Sequence, residues 1–148
     1  WRYLEAAPVS TEWTDKQWES YETLIGATGT GIGTGQSNTT IIATWLKGHS
    51  KTDCAAKLCD DLSIMNNLVT YNDWFLPSKD ELNLMYANLK VFGVSGFAYD
   101  NYWSSSENSA TTAWYQYLFN SDKTQGYHGY QYYSYKTTKY RVRAVRAF

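Results

Sequence analysis

The residues with chemistry to offer lie late in the chain. Tyr115, Tyr117, Asn120, Asp122, Tyr127, His128, Tyr130, Tyr132, Tyr133, Tyr135 and Thr137 fall within one run, filled out by Ser, Gly, Gln and Thr. That mixture suits recognition rather than catalysis. Tyrosine supplies a large, stiff, amphipathic contact at small rotamer cost, and small polar residues supply adaptable hydrogen bonds. Tyrosine is also an ordinary strand residue, so the run could line a β-core. Against this, Tyr127, Tyr130, Tyr132, Tyr133 and Tyr135 occupy both parities of any strand, and one buried face cannot take them all. These eleven residues are therefore the expected ligand-binding set, with Trp114 and Phe119 beneath them.

Other chemistries find little footing. Cys54 and Cys59 share a segment whose Ala55, Leu58, Cys59 and Leu62 form a helical stripe. On a helix the two thiols stand too far apart and point too differently for a bridge, so two buried free cysteines are expected. His49 and His128 have neither metal-ligand spacing nor a nucleophile partner. Hard cations want several clustered oxygens, whereas the Tyr-rich region offers only Glu107 and Asp122 as carboxylates; no metal, cofactor or catalytic residue is expected. The glycine-spaced loop from Gly26 to Gly35 lacks the GK[ST] ending and the acidic ribose partner of a nucleotide site, and reads as a flexible loop.

Charge gives a second reading. The formal net charge is −1, yet positions 101–148 hold Lys123, Lys136, Lys139, Arg141, Arg143 and Arg146 against Glu107 and Asp122. Such an excess could recognise a polyanionic glycan, although the arginines of one C-terminal strand could equally be structural. Nucleic acid is not an expected partner. The negative mean hydropathy and the lack of a long apolar run exclude a helical membrane span.

The elements that must position these residues come in two blocks. At 148 residues the chain fits one domain, 1–148, and it opens on a strand-like segment as an excised domain would. Asn38 or Thr39 is placed to cap a helix through 41–47, and a second helical stripe runs through Cys54 to Leu62. Trp74, Phe75 and Leu76 form an extended entry, Pro77 blocks backward continuation, and Ser78 with Glu81 makes a capping box. The following helix turns Leu82, Met85, Tyr86 and Leu89 inward and stops at Gly93. Strands follow at 102–107 and 112–119, then the Tyr-rich run and 140–148. Helices first and sheet last make an α+β domain, two helices packed on a small, mostly antiparallel sheet, with the N- and C-terminal strands paired. Trp74, Leu76, Leu82, Met85, Leu89, Trp103 and Val142 are the expected core. Arg146 shares parity with Val142, Ala144 and Phe148, so the last strand needs a bulge near Ala144 or Val145, or a partner for Arg146.

Taken together, WRYLEAA at 1–7, WFLPSKDELNLMY at 74–86, YWSSSE at 102–107, AWYQY at 113–117 and YRVRAVRAF at 140–148 resemble the variable proteins of diversity-generating retroelements. They also resemble a domain family found at the C-terminus of a collagen-like bacterial adhesin. The resemblance implies a C-type lectin-like fold of the formylglycine-generating-enzyme variety, displayed at the cell surface, outside the cell or on a phage particle. It implies a non-enzymatic ligand-binding protein whose segment 108–139 is rewritten at adenines, ahead of a constant tail 140–148. The ligand would be a protein or glycan. Adenine substitution in an Asn codon reaches Tyr, Ser, Asp, His, Gly and Thr without creating a stop. The enzyme relatives use a late thiol pair, and this chain has no Cys after Cys59.

Overall fold

The computed structural model describes residues 3–119 and 129–148. The chain forms β1 (Leu4–Ala6), β2 (Trp13–Lys16), α1 (Gly35–Gly48), α2 (Ala55–Asp60), the hairpin β3 (Ile64–Asn66) and β4 (Val69–Tyr71), and α3 (Lys79–Met85). Then come β5 (Asn101–Glu107), β6 (Thr112–Tyr117), β7 (Tyr130–Tyr135), β8 (Tyr140–Val142) and β9 (Val145–Ala147). The architecture is α+β, with mostly antiparallel sheets and, among the described residues, three α-helices, one more than the expected two. A five-stranded sheet runs in the order β2-β8-β5-β6-β7, its only parallel pair being β5 with β8. The chain ends meet as expected, since β1 pairs antiparallel with β9 in the register Leu4↔Ala147 to Ala6↔Val145.

Two apolar clusters hold the layers together. One gathers Trp18, Ile42, Leu46, Cys59, Leu76, Trp103 and Val142 between α1, α2 and the sheet. The other joins Phe75, Leu82, Met85, Tyr102, Leu118 and Val145 beneath α3. Each large side chain removed from water contributes about 1.5–3 kcal/mol. Of the expected core, Trp74, Leu76, Leu82, Met85, Trp103 and Val142 are buried, whereas Leu89 is only partly so. The reason is local: α3 passes into a π-helical turn at Tyr86–Lys90, and the wider turn rotates Leu89 off the inward face.

The start of α3 organises its surroundings. Ser78 accepts from the Glu81 backbone N–H, and the Glu81 carboxylate accepts from the Ser78 N–H at 2.7 Å, completing the capping box. The other Glu81 oxygen takes the Gly33 N–H at 2.8 Å, and Ser78 Oγ donates to the Gly31 carbonyl. The glycine loop is therefore tied down rather than free, because its backbone groups satisfy buried side chains of α3 and the sheet. α1 consequently begins at Gly35, before Asn38 and Thr39. Those two side chains serve tertiary partners instead: Asn38 Nδ2 donates to the Gly29 carbonyl, and Thr39 Oγ1 receives the Leu76 N–H at 2.9 Å. Gly35 is required there, since a Cβ would collide with the Glu81 carboxylate and the Ser78 backbone.

The last strand resolves the Arg146 problem with a partner for Arg146, as expected, and with a full break in place of the expected bulge. It breaks at Arg143–Ala144, so that β8 stays in the large sheet while β9 leaves to join β1. Arg146 Nε pairs with Glu5 at 2.7 Å and its guanidinium lies over the Tyr71 ring. At the break Arg143 is buried, donating to the carbonyls of Ala7 and Ser95 at 2.9 Å and lying over Phe97.

Candidate ligand-binding surface

The surface is built on the last two strands of the large sheet. β6 and β7 pair without a register shift from Tyr117↔Tyr130 to Thr112↔Tyr135. On the face toward α3, Gln116 Nε2 donates to Asn83 Oδ1 at 2.9 Å, and Gln131 Nε2 donates to the Lys79 carbonyl. Lys79 Nζ sits 4.0 Å over the Trp114 ring, and Tyr133 meets that ring edge-on. The opposite face packs Tyr115 against Trp103 and Tyr140, with ring centroids 6.4 and 4.8 Å away. Both faces of the strand pair are thus occupied near β5, and exposure increases toward β7.

Tyr130, Tyr132, Tyr133 and Tyr135 are 45%, 44%, 39% and 63% exposed, and Thr137 is exposed as well. Tyr115 and Tyr117 are half-buried; Tyr115, wedged among rings, belongs to the support rather than the display. Asn120, Asp122, Tyr127 and His128 lie outside the described residues. The rings that are described form a band: Tyr130 stacks on Tyr132 at 5.7 Å, Tyr132 on Tyr133 at 4.4 Å, and Tyr117 on Phe119 at 5.2 Å. Hydrogen bonding to Tyr132 is the main reason the Tyr133 phenol is raised above its ordinary pKa. Phe119 was expected beneath the surface but is part of it. Tyr99, in the loop before β5, meets Phe119 at 6.1 Å and carries Lys90 over its ring. Sequence reasoning missed Tyr99 because an aromatic in an irregular loop has no periodicity to betray its side.

The cations tell a different story. Lys136 is fully buried, its Nζ 2.7 Å from Glu107 and 2.8 Å from the Thr23 carbonyl, with Glu19 at 3.6 Å and the Trp18 ring beneath. Glu107 also accepts the N–H groups of Ile25 and Gly26, and Glu19 accepts those of Tyr21, Glu22 and Thr23. This lock fastens the loop 19–26 to the ends of β5 and β7. Arg141 pairs with Asp100 and Glu12, Arg143 is buried, and Arg146 pairs with Glu5. The expected polycationic face is therefore corrected: Lys136 and the arginines are engaged internally, Lys139 is exposed, and Lys123 lies outside the described residues.

Cys54 and Cys59 are free and buried. Burial pushes the Cys54 thiol up to about 11 and the Cys59 thiol well above its ordinary value, which makes both poor nucleophiles. His49 stacks on Trp45 at 3.8 Å and engages its carbonyl, a packing role. A polar cleft lined by Asp15, Asp100, Lys139, Tyr140 and Arg141 opens at the far side of the sheet, its charges of mixed sign.

This geometry defines an α+β domain with an aromatic margin on one side of its main sheet. No family model matches the chain, and no curated protein matches it.

Proposed function

We propose that this domain is a non-enzymatic ligand-binding protein with a C-type lectin-like fold, and that its aromatic margin is the display surface of a diversity-generating retroelement. The observation that carries the reading is the placement of Tyr130, Tyr132, Tyr133 and Tyr135. Four large aromatics stand exposed on one short strand, anchored by the buried Lys136 lock that immediately follows. Solvent-exposed rings of this density contribute little to a core and much to an interface, where a few aromatic anchors usually dominate affinity. The paired chain ends and the segregation of helices from the sheet also agree with a lectin-like scaffold.

On this reading the buried positions Ala113, Gln116, Leu118 and Lys136 are constant and the exposed ones vary. The test is genomic. A near-copy of the codons for 108–139, differing at adenines and lying beside a reverse transcriptase gene, is the expected result. The adenine differences should fall on exposed positions and spare position 136. A locus without such a copy would remove the retroelement from the reading. Ligand binding itself should respond weakly to ionic strength, because aromatic contacts rather than screened charges carry it.

A further inference from the structure

The two outer strands of the five-stranded sheet are built in opposite ways. β2 carries a register shift between Trp13 and Lys16, a left-handed residue at Asp15 (φ 54°), and charges on Asp15 and Lys16. Bulges and edge charges are the usual means of keeping another strand away. β7 has none of them. Its sequence Tyr-Gln-Tyr-Tyr-Ser-Tyr has no charge, no proline and no glycine, and its register with β6 is unbroken over six pairs.

The direction of its backbone groups follows from two bonds. Lys136 N–H donates to the Thr111 carbonyl, toward β6, and Leu118 N–H donates to the Asp100 carbonyl, away from β7. In an antiparallel ladder the groups alternate sides. Both anchors give the same answer: Tyr130, Tyr132 and Ser134 bond inward to β6, while Gln131, Tyr133 and Tyr135 turn their N–H groups outward. The Tyr135 carbonyl is used by the Thr138 N–H, so the outward row comprises the Gln131 and Tyr133 amides and carbonyls and the Tyr135 N–H. Among the described residues no strand covers that row.

Tyr132 and Tyr133 stand on either side of that row. Neighbouring strand residues point to opposite faces, yet these two rings stack at 4.4 Å and 16°. With β6 on the other side, they meet by leaning around the outer edge. An incoming strand would part the stack and find one ring on each of its faces.

We infer that β7 is a docking edge for an extended polypeptide segment of a partner protein, which adds a sixth strand to the sheet and is clamped between Tyr132 and Tyr133. The inference rests on the reading of this margin as the contact surface and names the class of ligand. A row of amides and carbonyls at strand spacing is matched by another extended backbone, with side-chain pockets adding specificity.

The probe is a linear random-peptide library displayed on phage and selected on the intact domain, with the tightest recovered peptide then synthesised. On saturation, hydrogen exchange of the Gln131, Tyr133 and Tyr135 amides should slow, while that of Tyr130, Tyr132 and Ser134, already bonded to β6, should not change. Tyr135→Pro, which removes an outward N–H at a position where an edge strand tolerates proline, should weaken binding about tenfold more than Tyr135→Ser, the scale of one ladder hydrogen bond. Tyr133→Pro against Tyr133→Ser repeats the comparison if the first proline variant fails to fold.

Peptides that lose affinity in a Tyr130/Tyr132/Tyr133→Ser variant yet leave the three outward amides exchanging freely would overturn the edge and keep the display surface. Peptides indifferent to that triple variant would overturn both. Recovery of no peptide would overturn the ligand class, and so would self-association abolished by Tyr135→Pro, which would assign the edge to a second copy of the chain.

Discussion

Tyr135 and Lys136 are neighbours in sequence and opposites in environment, and the contrast extends to the stretches they belong to. From Tyr130 to Tyr135 the aromatic side chains face water. From Lys136 to Arg146 the charged ones, the exposed Lys139 excepted, go inside or into ion pairs, with Lys136 and Arg143 fully enclosed. The ordinary partition of apolar inside and charged outside is inverted over adjacent segments. What makes this possible is that each buried cation is met by carboxylates and carbonyls already aimed at it. The lesson is that the charges here are fasteners for loops, which frees the neighbouring strand from any duty to the core.

Breaking a fastener should be the costliest change. Lys136→Met leaves Glu107 and Glu19 enclosed without their cation and should cost about 3–5 kcal/mol, whereas Lys139→Met, on an exposed side chain, should stay within about 0.5 kcal/mol. Denaturant unfolding of the two variants measures the difference; equal midpoints would erase the distinction between the two lysines. Leu82→Ala, beneath α3, should cost about 2–5 kcal/mol through lost burial and a residual cavity, read by the same unfolding curves. Ser78→Ala removes the N-cap of α3 and the bond to Gly31, at about 1–2 kcal/mol.

The next effect is one of pH. Burial raises the Cys54 thiol to about 11, so the folded state holds that proton more tightly than the unfolded chain does. The contribution is complete below the ordinary value of 9.0 and fades as pH rises through about 11. Thermal melts of the wild type should fall over that window more steeply than those of Cys54→Ala. Smallest of all is the stability change in the triple Tyr130/Tyr132/Tyr133→Ser variant. Each exposed ring should contribute within about 0.5 kcal/mol, so circular dichroism melts should nearly superimpose on wild type, and a collapse in Tm would turn the display strand into packing.

Much of this contrast was legible in the sequence where a local rule had no competitor. The Ser78–Glu81 capping box and the strand through Tyr102 and Trp103 follow from nearby residues or alternation, and the pairing of the chain ends from the order of the elements. The start of α1 was not legible, because Asn38 and Thr39 look like caps and only the tertiary structure supplies the Gly29 carbonyl and Leu76 amide that claim them. Lys136 was misjudged for the same reason. Its partners Glu19 and Glu107 lie far away along the chain, and no spacing announces a buried triad. For the surface, parity alone distinguished an exposed Tyr run from a core strand, but it could not separate Tyr115, wedged between Trp103 and Tyr140, from Tyr135.

The strand order also bears on synthesis. β1 has β9 as its partner and β2 has β8, so the first two strands of the domain must wait for nearly its last residues before either edge is closed. Loops that span almost the whole chain are slow to close. A product cut short anywhere before 140 lacks both partners and leaves two open strands behind, a species prone to aggregation and exposed to proteolysis. Only chains read through the Tyr-rich segment to the end can therefore complete the fold.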